Sequence, residues 1–343
     1  MDDSRPFDGE TAATRPLGGP EKAVAGLAAA LAGRGHGVTV INRCDYQRSL
    51  AGVDWLPWLA PRPPETDVLI ASRKLALLDE VRRAQHRVLW YWGAPKALTR
   101  PAGQKLLERH RPAVAFVSEH QQAGWKPWRD FAQAVIPPGI DAAYLTAPDD
   151  VPAGPPRALV TTHPRHGLAE ILELWVARVR PRIEDGELHI YSAGLARAMA
   201  GAPPPDGLQP VFEAIRDAAD AGVSVKAPGG DQAMAAAYAG AQVHLYPDVP
   251  AEIYCATLAE SQAAGLPAVA LNDVGAPGAT AERIHDGRTG YRVPDADAFV
   301  NLAVQLLGEE GVFEGLKRDA LVLQRARSWD VAAIEFETLW GRG

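Results

Sequence analysis

The sequence predicts an α/β protein of two doubly wound, Rossmann-like domains, and three observations carry that prediction. Short β-branched runs alternate with Ala-rich helical stretches along most of the chain, as expected of βαβ units feeding a parallel sheet. At 343 residues the chain is long enough for two such domains, each burying its own core. A polar, proline-rich segment at 146–156 divides the alternating series in two. The expected organisation is a first domain over residues 1–145, a linker at 146–156, a second domain over 157–327 and a C-terminal helix within 328–343.

In the first series, strands are expected at Val38–Asn42, Val68–Ala71, Val88–Tyr91, Val114–Ser118 and Ala134–Ile136. Helices are expected at Glu21–Gly33, Leu75–Gln85, Ala102–Arg111 and Gln121–Phe131. The second series reads as strand Arg157–Thr162, helix Leu168–Arg180, strands Leu188–Ser192 and Val223–Lys226, helix Asp231–Ala239, strand Val243–Tyr246, helix Tyr254–Ala264 and strand Ala268–Leu271. Trp329–Trp340 reads as a helix with apolar residues at Val331, Ile334, Leu339 and Trp340. A doubly wound half should open on a buried apolar strand directly ahead of its first glycine loop. Residues 1–16 hold only Met1 and Phe7 as large apolar groups, so either that strand is lost or the start lies upstream. A sheet without its central strand would leave unpaired backbone and a gap in the core.

An apolar fraction of 47% is ordinary for a globular protein, and no apolar run is long enough to span a bilayer. Residues 1–16 are polar, with no signal-peptide pattern. Cys44 and Cys255 are too few for a disulfide framework, and no Cys/His spacing suggests a structural metal. A cytosolic compartment is expected. The net charge of −7 argues against general nucleic-acid binding. Between Arg73 and Arg129, however, twelve Lys or Arg stand against four acids, a local +8 that leaves −15 for the rest. Trp90, Tyr91, Trp92, Trp125 and Trp128 interleave there. The stretch reads equally as the solvated face of two helices, Arg82–Arg87 and Lys105–Arg111, or as a peripheral surface for anionic lipid or a lipid-phosphate-linked acceptor.

The most informative pair is Glu252 and Glu260, eight residues apart and followed by Gly265-Leu266-Pro267 and an apolar run. With a helix beginning near Cys255, Glu260 lies on its second turn and Glu252 in the loop before it. The free N–H groups of such a helix suit phosphate, and the two carboxylates suit sugar and ribose hydroxyls. The arrangement fits a sugar-nucleotide site, although either acid alone reads as a loop acid or a helix-face ion pair.

Glu-x7-Glu ahead of a Gly-Leu-Pro turn resembles the donor signature of retaining GT-B glycosyltransferases, the group 1 type. Pro16-Leu17-Gly18-Gly19-Pro20-Glu21 resembles that family's first glycine loop, and Ile136-Pro137-Pro138-Gly139-Ile140-Asp141 its domain hinge. The resemblance implies a GT-B fold, with a nucleotide-sugar donor domain second, an acceptor domain first and a cleft between them. It also implies that the last helix crosses back to the first domain. It gives Glu252 the donor sugar near the reacting carbon and Glu260 the ribose, with backbone donors from Tyr254, Cys255, Ala256 and Thr257. The diphosphate falls to Thr162, Arg165 and His166, although the family usually has Arg or Lys where His166 stands. Gly18 and Gly19, and Gly229 after strand Val223–Lys226, complete the implied donor set; each glycine also reads as a bare turn. Trp92 stands where many relatives carry a functional His, and Glu119 and His120 are acceptor-site candidates.

The expected activity is transfer of a sugar from a nucleoside diphosphate sugar to a glycan or lipid-linked acceptor, with retention. No Asp-x-Asp motif occurs, in keeping with metal independence, and no cofactor is expected. A degenerate GT-B protein that binds nucleotide sugar or a partner without turnover is the main rival. A nucleotide-sugar epimerase is the third reading.

Overall fold

The structure, a computed structural model, describes residues 1–148, 154–247, 249, 252–271 and 277–341. The middle of the expected linker, 149–153, lies outside the described residues. The chain divides into two compact units, Met1–Asp141 with Arg327–Gly343, and Ala142–Ala326.

In the first unit, helix α1 (Gly19–Gly33) has Pro20 in its first turn and buries Val24, Leu27, Ala28 and Leu31 along one face. Strands β1 (Val38–Asn42), β2 (Arg48–Leu50) and β3 (Val53–Pro57) form one sheet in the order β1-β3-β2. Strands β4 (Glu65–Ser72), β5 (Arg83–Tyr91), β6 (Ala113–Phe116) and β7 (Gln133–Val135) form a second, all-parallel sheet in that order. β1 and β4 are each the edge of a sheet. Met1 and Asp2 bridge them. The Met1 amine donates to Ile70 O at 2.6 Å, Ser72 N–H to Met1 O at 2.9 Å and Asp2 N–H to Ile41 O at 3.2 Å.

Two expected helices are corrected. Leu75–Gln85 is a 3₁₀ turn, Leu75–Asp79, followed by the start of β5. Pairing of Arg83 through Trp90 with β4 overrides the helical preference of Arg-Arg-Ala-Gln. Arg82–Arg87 is therefore no helix face, and the Arg87 guanidinium donates to the carbonyls of Val81 at 3.0 Å and Ala84 at 3.1 Å. Gln121–Phe131 contracts to a short helix, Glu119–Ala123, stopped by Gly124 and by Pro127 beyond it. Its expected second half instead sends Trp125 and Phe131 into the core around Phe116.

The C-terminal helix, Trp329–Trp340, packs on α1. Ser328 caps it, and Ala332, Ala333, Phe336 and Leu339 are its buried face. Val331 and Ile334 point to solvent, the reverse of what their apolar character suggests. Small residues let the helices approach: a Cβ on Gly26 or Gly139 would run into the Trp329 ring. The Ile136–Asp141 segment docks on the same helix start, with Ile140 N–H donating to Arg327 O at 2.8 Å.

The second unit holds β8 (Arg157–Val160), β9 (Glu187–Tyr191), β10 (Val223–Lys226), β11 (Val243–Tyr246), β12 (Ala268–Leu271) and β13 (Gly290–Val293). All pairs are parallel, in the order β10-β9-β8-β11-β12-β13, the doubly wound order with its reversal between β8 and β11. β11 is buried on both faces, as a central parallel strand must be. Helices α2 (Leu168–Leu174), α3 (Asp231–Ala239) and α4 (Ala256–Ala263) supply crossovers. Helices Ala193–Met199 and Gln209–Asp217, not anticipated, carry the connection from β9 to β10 that a parallel pair requires.

Candidate active site

The strand order reverses between β8 and β11, and ligands of doubly wound sheets bind outside the strand ends at such a point. The loop leaving β8 carries Thr161 to Gly167; after β11 the described residues are Pro247, Val249 and Glu252 to Cys255. The two segments touch. Gly167 has φ 69°, and a Cβ there would stand 2.5 Å from Pro247 Cβ, so no other residue fits without displacing the neighbouring loop.

A buried polar column holds both loops from below. Thr161 Oγ1 lies 3.0 Å from His244 Nε2, and His244 Nδ1 lies 2.9 Å from Ser261 Oγ of α4. Burial lowers the His244 pKa to about 3, so the ring is neutral, with one nitrogen donating and one accepting. Beside it, the Tyr144 hydroxyl donates to Asp231 Oδ1 at 2.7 Å. Burial, then the Glu260 carboxylate, raises the phenol pKa of both Tyr144 and Tyr238, which keeps their hydroxyls protonated near Glu260.

Helix α4 begins at Ala256 because Cys255 is left-handed, with φ 56°, a conformation that costs a non-glycine residue about 1 kcal/mol. It ends in a Schellman motif: Gly265 N–H donates to Gln262 O and Leu266 N–H to Ser261 O, each at 2.9 Å, with Gly265 at φ 87°. This places Glu260 in the second turn, half-buried, and Glu252 in the preceding loop. Glu252 Oε1 accepts the N–H groups of Ile253, Tyr254 and Cys255 at 3.2, 3.4 and 3.4 Å. Two of the backbone donors expected to face a ligand are thus turned to Glu252, through long and weak bonds. Ala256 and Thr257 sit half-buried at the helix start. Burial, with Glu252 adding to it, raises the Cys255 thiol, which leaves it a poor nucleophile.

On the other loop, Thr162 is 8% exposed and its Oγ1 has no hydrogen-bond partner among the described residues, an open polar atom at the end of β8. Arg165 does not point free: its Nη2 donates to the Asp206 carbonyl. His166 N–H donates to His163 O at 2.8 Å, and the two imidazole rings lie 5.6 Å apart. Gly229 follows β10, an edge strand two places from β8, and a Cβ there would crowd Ala233 at 2.6 Å.

The remaining candidates belong to the first unit. Gly18 caps α1, and its carbonyl accepts Lys22 N–H at 2.9 Å; Gly19 is the first residue of the helix. The carboxylate of Glu21 folds over Gly18, is nearly buried, and meets Arg5 and Arg73 at 3.3 Å each. The helix start expected to hold a ligand anion thus already faces a carboxylate. Trp92, half-buried, stacks at 5.4 Å on Trp90 beyond β5, and Glu119 and His120 open the Ser118-capped helix beyond β6. Gln121 joins the two loops, accepting Val117 N–H at 2.8 Å and donating to Tyr91 O at 3.1 Å and Gly93 O at 3.0 Å.

Residues the sequence reading passed over include His244, Gln121, Glu21 and Arg283. Arg283 is 9% exposed, with its guanidinium 5.0 Å over the Tyr254 ring. A histidine inside the apolar run Val-His-Leu-Tyr was a usable signal, since a buried ring must be bonded. Arg283 had none.

Comparison with known proteins now decides the character of the second unit. Residues 158–309 match the family described as glycosyl transferases group 1. Over those residues the second unit is similar to that family. The solved structures agree on the fold. Sucrose-phosphate synthase from Thermosynechococcus elongatus superposes with TM-score 0.70 at 16% identity, over 99% of this chain and 98% of that one. HepE of Anabaena, solved with UDP-glucose, gives TM-score 0.70 at 13% identity over 96% and 98%. WaaG, a glycosyltransferase involved in lipopolysaccharide biosynthesis, gives 0.61 at 14% over 96% and 97%. The chain therefore has the GT-B fold. No curated relative matches the sequence.

Proposed function

We propose that this chain is a retaining, metal-independent glycosyltransferase that takes a sugar from a nucleoside diphosphate sugar and gives it to a glycan or lipid-linked acceptor. The observation that supports the reading is the close approach of Gly167, after β8, to Pro247, after β11, at the strand-order reversal; in this reading Glu252, Glu260 and the Thr162–Gly167 turn share that strand end. In this reading Glu260 holds the ribose, and Thr162 and His166 meet the diphosphate. Arrival of the diphosphate displaces Glu252 from its three long N–H bonds. The freed carboxylate then binds sugar hydroxyls, and the freed N–H groups stabilise the leaving phosphate oxygens. Among the solved structures, HepE was captured with UDP-glucose, which supports a uridine nucleotide as the first donor to try.

A cytosolic site of action is part of the proposal. No described helix is long and apolar enough to cross a membrane. Arg82, Arg83, Lys96, Arg100, Lys105, Arg111 and Lys126 are exposed, which supports peripheral contact with anionic lipid, whereas Trp90, Tyr91 and Trp125 are core residues and take no part in it.

One observation favours the rival, a binding protein without turnover: Arg165 is turned to the Asp206 carbonyl and so supplies no charge to a diphosphate in this arrangement. The deciding experiment measures sugar transfer, with product anomeric configuration by NMR, for wild type and Glu252→Gln. Retained configuration and a loss of about 100-fold in transfer, with nucleotide affinity kept, is expected. Inverted product removes the mechanism. Nucleotide binding with no transfer to any acceptor and no donor hydrolysis selects the rival.

A further inference from the structure

The second unit buries a guanidinium without giving it an acceptor. Arg283, the last residue of the helix Ala279–Arg283, is 9% exposed. Its side chain makes no hydrogen bond or ion pair with the described residues, and its Nε is sealed from solvent. Arg180 and Arg292 also have a sealed Nε, but each reaches an acceptor through an Nη atom. Arg180 donates to the Ile183 carbonyl at 3.0 Å and Arg292 to the Asp286 carboxylate at 3.5 Å. What Arg283 meets instead is a ring: its Cζ lies 5.0 Å from the centroid of Tyr254. Stacking on a ring offsets part of the cost of taking a guanidinium out of water, but it leaves the N–H donors unused.

The surroundings fit a negatively charged ligand. Tyr254 and Cys255 directly precede helix α4, and the Arg283 charge is near enough to act on the Cys255 thiol. The N–H groups of Ile253, Tyr254 and Cys255 are the ones that Glu252 Oε1 covers, at 3.2 to 3.4 Å. A carboxylate thus already rests on this turn, whose N–H groups and helix start suit an oxyanion. On the opposite loop, Arg165 is engaged by the Asp206 carbonyl. We propose that Arg283, and not Arg165, is the cation of the donor site, and that its guanidinium binds an oxyanion of the nucleotide sugar. This rests on the reading that the β8–β11 end holds a nucleotide sugar. An arginine fork takes two oxygens of a phosphate or of a carboxylate, so the oxyanion belongs either to the diphosphate or to the sugar, as in a uronic acid. In the first case Arg283 steadies the diphosphate; in the second it selects acidic sugars over neutral ones, because a neutral sugar leaves the buried charge unpaired.

The test measures calorimetric dissociation constants of the full chain, as wild type, Arg283→Met and Arg283→Lys, for inorganic pyrophosphate, UDP, UDP-glucose and UDP-glucuronate. Arg283→Met gives up no hydrogen bond and should melt no lower than wild type. Arg283→Lys, which keeps the charge without the fork, carries the test alone if Arg283→Met does not fold. For the ligand that bears the oxyanion, Arg283→Lys should lose about 10-fold in affinity and Arg283→Met about 100-fold. Losses shared by UDP, UDP-glucose and UDP-glucuronate place the oxyanion on the diphosphate, and a loss confined to UDP-glucuronate places it on the sugar. Equal losses in the two variants, the mark of a packing role against Tyr254, overturn the proposal. Nucleotide affinities unchanged in both variants overturn it too, while leaving the nucleotide-sugar reading of the site in place. Wild type that binds none of the four ligands overturns both.

Discussion

His244 offers the most quantitative test of how the second unit holds its site. The ring is fully buried between Thr161 and Ser261, and burial sets its pKa at about 3 against 6.5 in an unfolded chain. The folded value is the lower one, so the unfolded chain takes up the proton first as pH falls. Stability from the neutral ring is complete above pH 6.5 and is lost progressively between 6.5 and about 3. At pH 5 an unfolded histidine is almost fully protonated while the folded one is not, a penalty of about 2 kcal/mol relative to pH 7.5. The assay is urea unfolding at pH 7.5 and 5.0, followed by exchange-mass spectrometry on peptides covering Val243–Tyr246, for wild type and His244→Gln. The variant should be less stable at pH 7.5 but lose about 2 kcal/mol less on acidification. His189, lowered to about 4 and partly exposed beside Glu187, is present in both proteins and cancels in the comparison. An equal acid loss in both proteins would refute the buried neutral imidazole.

Further outcomes follow from packing and backbone geometry. Gly26→Ala should destabilise the first unit by more than about 2 kcal/mol, although alanine gains about 1 kcal/mol in helix propensity, because the added methyl strikes the Trp329 ring; a higher melting temperature would contradict the docking of the C-terminal helix. Cys255→Gly relieves the left-handed strain but loses a buried thiol, and should move stability by less than about 1 kcal/mol, whereas Cys255→Val should cost more than about 2 kcal/mol; urea midpoints in the reverse order would count against that backbone. Glu337, bidentate to Arg34 at 2.7 Å and 2.9 Å from His36, has its pKa lowered to about 2, chiefly by the Arg34 bond. Its contribution is present above the usual carboxylate pKa and lost as pH falls toward 2, but the pair is solvated. Glu337→Gln should cost less than about 1 kcal/mol, and 1 M salt should erase the difference.

The second sheet was legible because buried parallel strands are continuous apolar runs: Val243–Tyr246 and Ala268–Leu271 were found to the residue. Helix α4 was legible through the Gly265 stop that follows Glu260. β5 was not, because Arg83–Arg87 has helical composition and its strand state is imposed by β4. β13 and the small strands β2 and β3 lack long apolar runs. At the site, the placement of Glu252 and Glu260 around a helix start could be read from spacing. What spacing could not show is that Glu252 turns onto its own loop, that Arg165 leans on Asp206, or that Glu21 covers Gly18. Those are side-chain choices set by neighbours distant in sequence.

The measurement that bears most directly on the central claim is a thermal-shift series with UDP, GDP, ADP and their sugars on wild type and Glu260→Ala. Nucleotide at about 100 times its dissociation constant should stabilise the wild type by about 2.7 kcal/mol, a shift of a few degrees. One nucleotide should give that shift, and Glu260→Ala should abolish it while remaining folded. No shift with any nucleotide on folded wild-type protein, or a shift that survives in the variant, would contradict a nucleotide-sugar site at the β8–β11 reversal.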